Sequence, residues 1–322
     1  MPDTNSADSS TMAQASRPAA PTTIVRAQPL QIAKSSTVDD VLSLAGRCCL
    51  SQLAGNQAAA LAGDPEGVHQ MRVAIRRLGS ALAAFRRAMP EHQYRSTKDA
   101  LDWLKQALGA ARNWDVFATD LLDPVAGARP RDRDLATLAA AAARRRQEAY
   151  RRVAEAILSP RFIATITELT GWFERHAWRG HASPLLDAAI ADVAPDLVDR
   201  RRRSVRKRGR RFPEQSPMQR HKLRIALKKL RYTVELLEDV LDPARVALYR
   251  KRMKTLQADL GRINDVRTAH GLASEIIERD ADDDPALART AGLVLGWHER
   301  GLADSETRTA RHVRQVRRLP SF

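Results

Sequence analysis

From Thr37 to the C-terminus, apolar residues recur every three or four positions, the spacing of one helix face, and no run alternates with the period of two that a half-buried strand requires. Helical patterns follow one another over about 38–62, 66–88, 91–122, 131–158, 161–176, 183–210, 215–240, 243–280 and 284–317. Breakers separate them, among them Asp64-Pro65, Asp123-Pro124, Ser159-Pro160, Asp242-Pro243 and Asp284-Pro285. Asp or Ser before Pro predicts an N-cap followed by the first helical residue, since proline lacks only an N–H that has no intrahelical partner there. The predicted class is all-α. Residues 1–36 are rich in Ser, Thr, Pro and Ala. Such a segment has little apolar surface to set against its ordering entropy, and it is expected to be a disordered linker.

The chain repeats itself. Val68–Phe85, VHQMRVAIRRLGSALAAF, aligns without a gap on Arg220–Leu237, RHKLRIALKKLRYTVELL, at an offset of 152 residues. The same offset pairs Leu104, Leu108 and Gly109 with Leu256, Leu260 and Gly261. Two related halves are expected, about 37–160 and 211–318, joined by helices over about 161–210. A duplication of about four helices per half points to two four-helix bundles related by an internal pseudo-two-fold.

With Met71 as zero on a helical wheel, Ile75, Leu78, Leu82 and Phe85 fall within about 40°, a core seam. His69, Arg72 and Arg76 fall between about 100° and 160°, on another face. The second copy repeats both: Leu223, Leu227, Leu230, Val234 and Leu237 form the seam, and His221, Arg224, Lys228 and Arg231 the basic face. Val73 and Ile225 sit among these cations, which predicts a partly covered face. A charged stripe opposite a seam is usually a solvated surface. Retention of residue type at the same position in both copies argues for a function. If the rows converge, they concentrate positive potential in one groove or pore.

Charge changes the picture further. Lys and Arg number 54 against 38 Asp and Glu, a formal net charge of +16. That excess calls for a polyanion: nucleic acid, an anionic membrane surface or a phosphate polymer. Aromatics are only 5%, a poor supply for stacking on bases. No phosphate-binding G-x-x-x-x-G-K-[ST] loop and no zinc-finger spacing occurs. A basic block, Arg200–Arg211, places Arg203, Arg206, Lys207 and Arg210 on one broad helical face just before the second repeat. It lines the same groove or is a solvated helix end. Arg144–Arg146 and Arg308–Arg318 read as ordinary exposed faces. His176 and His181 flank Trp178 without a carboxylate, weak grounds for a metal site, and Asp282–Asp284 reads as a solvated acidic run. No cofactor, metal or catalysis is expected. Adjacent Cys48 and Cys49 do not form an ordinary bridge and are expected to be reduced. No stretch approaches 18 apolar residues, and the N-terminus lacks a basic segment leading into an apolar one; a cytoplasmic protein is expected.

These residues resemble the CHAD family, the conserved histidine α-helical domain. The resemblance rests on His69-x-x-Arg72-Val73-x-x-Arg76-Arg77-Leu78 and on His221-x-x-Arg224-Ile225-Ala226-Leu227-Lys228-Lys229-Leu230-Arg231-Tyr232. It also rests on Leu108–Val116, Leu260–Asp265 and the basic Arg206–Arg210. It covers about 37–318. The resemblance implies two four-helix bundles around a basic central pore that binds inorganic polyphosphate, and association with polyphosphate granules and their proteins. It implies a lining of His69, Arg72, Arg76, Arg206, Lys207, Arg210, His221, Arg224, Lys228 and Arg231. Many family members carry an adjoining CYTH triphosphatase module, whose Glu-x-Glu-x-Lys row is not found in this sequence. One departure is Gly79, where the second half has Arg231. The alternative partner is DNA or RNA, held nonspecifically by the same basic surface.

Overall fold

The computed structural model describes residues 23–180, 183–280 and 285–322. In chain order the helices are α1 (Val38–Gly55), α2 (Gln57–Leu61), α3 (Pro65–Ala84), α4 (Glu91–Ala107) and α5 (Gly109–Val116), then a π-helical segment (Phe117–Leu122) and α6 (Asp123–Ala128). They continue with α7 (Arg133–Leu158), α8 (Pro160–Glu174), α9 (Ile190–Arg208), α10 (Pro217–Leu237), α11 (Pro243–Asp280) and α12 (Ala286–Arg317). The fold is all-α: among the described residues there is no strand.

The caps act where the sequence places them. Thr37 and Asp40 form a reciprocal capping box on α1, and Ser216 and Gln219 form one on α10. Asp64, Asp132 and Ser159 cap α3, α7 and α8 through their side chains. The two predicted seams are core. Met71, Ile75, Leu78, Leu82 and Phe85 are buried, as are Leu223, Leu227, Leu230, Val234 and Leu237.

Four expectations are corrected. The predicted 38–62 helix breaks at Asn56, whose side chain accepts from Val25 N at 3.1 Å and donates to Val25 O at 2.7 Å. The 91–122 helix splits into α4, α5 and the π segment. Asp123-Pro124 opens α6 instead of a loop. Residues 183–189 are not helical, because their backbone has another task. The carbonyls of Ala188 and Leu186 accept from Val38 N and Asp39 N, each at 3.1 Å, satisfying donors in the first turn of α1.

Of the expected linker 1–36, the described part, 23–36, is packed against the helices. Leu30 and Ile32 are buried. Arg77 donates to Gln28 O at 2.9 Å, and Ile32 N donates to Asp239 Oδ2 at 3.0 Å. Two large apolar side chains and a few anchored backbone groups suffice to order a segment whose composition is otherwise that of a linker.

The duplication is visible in the helix starts. Val38, Pro65 and Glu91 open α1, α3 and α4; Ile190, Pro217 and Pro243, each 152 residues on, open α9, α10 and α11. In this register α9 stands where α1 stands in the first copy. Equivalent residues also meet. Thr37 and Ala189 form an isolated antiparallel bridge. Its flanking hydrogen bonds are reciprocal, Val38 N to Ala188 O and Ile190 N to Ser36 O.

A buried carboxylate fixes this junction. Asp39 accepts from His176 Nδ1 at 2.6 Å, Trp178 Nε1 at 2.5 Å and Arg179 Nε at 2.9 Å. His176 is thereby committed to a structural hydrogen bond, and position 181 and the acidic run 282–284 lie outside the described residues. Arg145 and Arg146 are likewise structural, Arg145 pairing with Asp280 and Glu148 and Arg146 with buried Asp115. Cys48 and Cys49 are free thiols, and burial pushes that of Cys49 up to about 12.

Candidate functional site

Helix α3 packs on α10, α10 on α11, and α5 touches both α3 and α11. The seams turn Met71 and Leu223 into the core. The 100° step per residue then sends the basic rows of α3 and α10 sideways, toward the region where these four helices meet. All of His69, Arg72, Arg76, His221, Arg224, Lys228 and Arg231 are half-buried.

Members of the two rows act on one another electrostatically. Lys228 is pushed down to about 7, first by burial and then by the positive fields of Arg224 and Arg76, with Asp265 opposing. Arg72 is lowered to about 10 by burial and by Arg76, Arg112 and Arg224. Arg224 is lowered by burial, with Arg76 and Arg267 adding to the effect and Asp265 opposing it. Thus Arg224 and Lys228 of the second half sit in the field of Arg76 of the first. Both histidines are held below the usual imidazole range, chiefly by burial. Arg112, Arg76 and Arg72 reinforce this at His69, and Arg267, Arg224 and Lys105 at His221.

Few of these donors are spent internally. Arg72 Nη1 donates to Lys105 O at 3.0 Å, a carbonyl in the last turn of α4. His221 Nδ1 lies 3.1 Å from Asn264 Oδ1 and 3.4 Å from Arg267 Nη2. With its proton on Nδ1 it donates to Asn264, and Nε2 is then the nitrogen that gains a second proton. The Nε atoms of Arg72, Arg76 and Arg224 are buried with no hydrogen-bond partner among the described residues. Buried donors without acceptors are costly, and the Nε atoms of Arg145, Arg220, Arg231 and Arg317 share this condition. Asp265 of α11 is the internal counter-charge here; burial raises its carboxyl, against the pull of Arg224 and Lys228.

Sequence reasoning placed other residues less well. Arg231 is engaged by Glu235, its Nε 2.9 Å from Oε1, and donates through Nη1 to Gln257 at 2.9 Å. Arg206, Lys207 and Arg210 are exposed at or beyond the end of α9, which stops at Arg208. The α9 side chains whose fields reach α10 are Arg201 and Arg208, which together with Lys98 and Lys105 lower Lys229 after burial. Ile225 is exposed and Val73 half-buried. Arg112, Arg267 and Asp265 were not singled out as site residues. Arg112 and Asp265 do lie in the second pair of repeated segments, the signal that marks them.

The family model for the CHAD domain matches residues 45–274, most of the chain. The chain belongs to the CHAD family, of which polyphosphate binding is a known property. It is similar to the crystal structure of the CHAD domain from the plant Ricinus communis. The TM-score is 0.79 and the identity 28%, over 93% of this chain and 98% of that one. The fold is also that of PptA from Streptomyces chartreusis, with a TM-score of 0.65 and 16% identity over 87% of this chain and 100% of that one. No curated protein matches in sequence. Among the described residues, no helix is long and apolar enough to cross a membrane.

Proposed function

We propose that this chain binds inorganic polyphosphate in the cationic region between α3 and α10. His69, Arg72, Arg76, His221, Arg224 and Lys228 form the central set, with Arg112 and Arg267 completing it. The observation that carries the proposal is the packing of α3 on α10 with Arg76 acting on Arg224 and Lys228, and three buried guanidinium Nε atoms left unpartnered among the described residues. Bringing cations together costs free energy that a chain with one negative charge per phosphorus returns. Guanidinium groups donate in forks that match phosphate oxygens, and the lysine adds a point charge. Binding of this kind releases counterions and weakens with salt.

The protein acts as a binding module without chemistry of its own. In a cell it attaches to polyphosphate granules in the cytoplasm and meets their proteins there. The rival partner, nucleic acid, is favoured by the net charge of +16. Competition separates them: long-chain polyphosphate displaces a labelled polyphosphate probe at fixed salt, whereas duplex DNA at equal phosphate concentration does not. Equal displacement by DNA would make the site a nonspecific cation surface.

A further inference from the structure

Beside the cationic region, between α10, α11 and α12, lies a cavity of about 470 Å³. Its character differs from that of a polyphosphate groove. Leu260, Ile263, Val266 and Leu302 supply apolar wall, and a bare phosphate chain has nothing to bury against them. His221, Arg224 and Arg267 stand on its lining as well. The same imidazole and guanidinium groups therefore serve both the cationic region and this cavity. The neighbouring Arg220 is already paired with Glu306 and laid over the Phe212 ring.

We propose that this cavity is a nucleotide site, taking a nucleoside di- or triphosphate with its base and sugar against the apolar wall and its phosphates on His221, Arg224 and Arg267. An apolar pocket with one cationic flank selects a ligand with an apolar body and an anionic head. The volume falls in the range of small-ligand pockets, about 300–1,000 Å³. Polar groups suited to the edge of a base are present: the Gln215 and Asn264 amides, and the Glu299 carboxylate, which faces His270 Nε2 at 2.8 Å. The phosphate half of this inference rests on the proposed polyphosphate site, because His221 and Arg224 are shared. Nucleotide and polyphosphate therefore exclude one another at that end.

Calorimetric titration of the full chain with ATP and with inorganic tripolyphosphate, both carrying three phosphorus atoms, tests the inference at fixed salt. ATP is expected to bind at least about fivefold tighter. Ile263→Trp, which fills the cavity, and Leu302→Asn, which makes its wall polar, should each remove that advantage and leave tripolyphosphate binding unchanged. Equal affinity for the two ligands in the parent chain would overturn the site. So would an advantage that survives both variants, or loss of both ligands in both. A third titration with long-chain polyphosphate separates this inference from the function proposed above. If polyphosphate binds and ATP shows no advantage, only the nucleotide site falls. If ATP binds with its advantage and polyphosphate does not bind, the cavity stands and the polyphosphate reading falls.

Discussion

Arg76 and Lys228 are the same position in the two halves, 152 residues apart, and Arg76 contributes to holding the Lys228 amine down to about 7. Thr37 and Ala189, another equivalent pair, touch through their backbones just before α1 and α9. Equivalent residues of the two copies thus act on one another in both places.

Lys228 makes the ligand-free protein pH-sensitive. Its folded pKa lies below the unfolded value of 10.5, so between about 7 and 10.5 the unfolded chain binds more protons, and stability rises with pH across that window. Below it the penalty is complete. Lys228→Met should therefore raise Tm by about 2 °C or more at pH 6 and by clearly less at pH 9.5, while weakening polyphosphate binding. Thermal unfolding at the two pH values checks this; an equal gain at both would contradict it.

His69 and His221 are held neutral by burial and by neighbouring cations. A bound polyanion favours their charged forms, so binding takes up protons and tightens as pH falls through and below the ordinary imidazole range. Affinity measured from pH 7.5 to 5.5 should climb in the parent chain. It should climb less in the His69→Ala, His221→Ala double variant. An unchanged pH profile in that variant would remove the histidines from the site.

Asp265 competes with the ligand for Arg224 and Lys228. Asp265→Asn keeps the shape and removes the charge. Polyphosphate should bind about threefold tighter or better, a gain of roughly 0.6 kcal/mol. Weaker binding would instead mark Asp265 as a residue that positions the cations.

Asp39 tests the separation of scaffold and site. Its removal leaves His176, Trp178 and Arg179 without their shared acceptor. Asp39→Ala should cost about 3 kcal/mol or more in urea unfolding, yet leave polyphosphate affinity unchanged at temperatures where the variant is folded. A selective loss of affinity would place this junction within the binding apparatus.

Much of the fold is legible in the sequence because core seams and caps are local signals. The period of 3.6 marks Met71–Phe85, and Asp64-Pro65 marks the start of its helix. The fate of Leu108-Gly109 was not legible. Its counterpart Leu260-Gly261 lies inside continuous α11, whereas at Leu108 the chain breaks between α4 and α5. Nearly the same local text gives two outcomes, so packing decides. The packed course of residues 23–36 has the same origin, since Leu30 and Ile32 find their pockets only in the folded protein.

For the candidate site, the duplicated histidine-cation rows mark α3 and α10 directly. What faces those rows was hidden. Arg112, Arg267 and Asp265 come from α5 and α11 and meet the rows only in three dimensions. Arg206, Lys207 and Arg210 show the converse: density of charge along the chain says nothing about which way an exposed helix end points.

The most direct measurement is calorimetric titration with long-chain polyphosphate, for the parent chain and for the variant with Arg72, Arg76, Arg224 and Lys228 replaced by Ala, at several salt concentrations. The account predicts a large loss of affinity, and a log–log salt dependence shallower by about 3, near 0.7 for each cation removed. Unchanged affinity and slope in the variant would show that polyphosphate, if it binds, binds elsewhere.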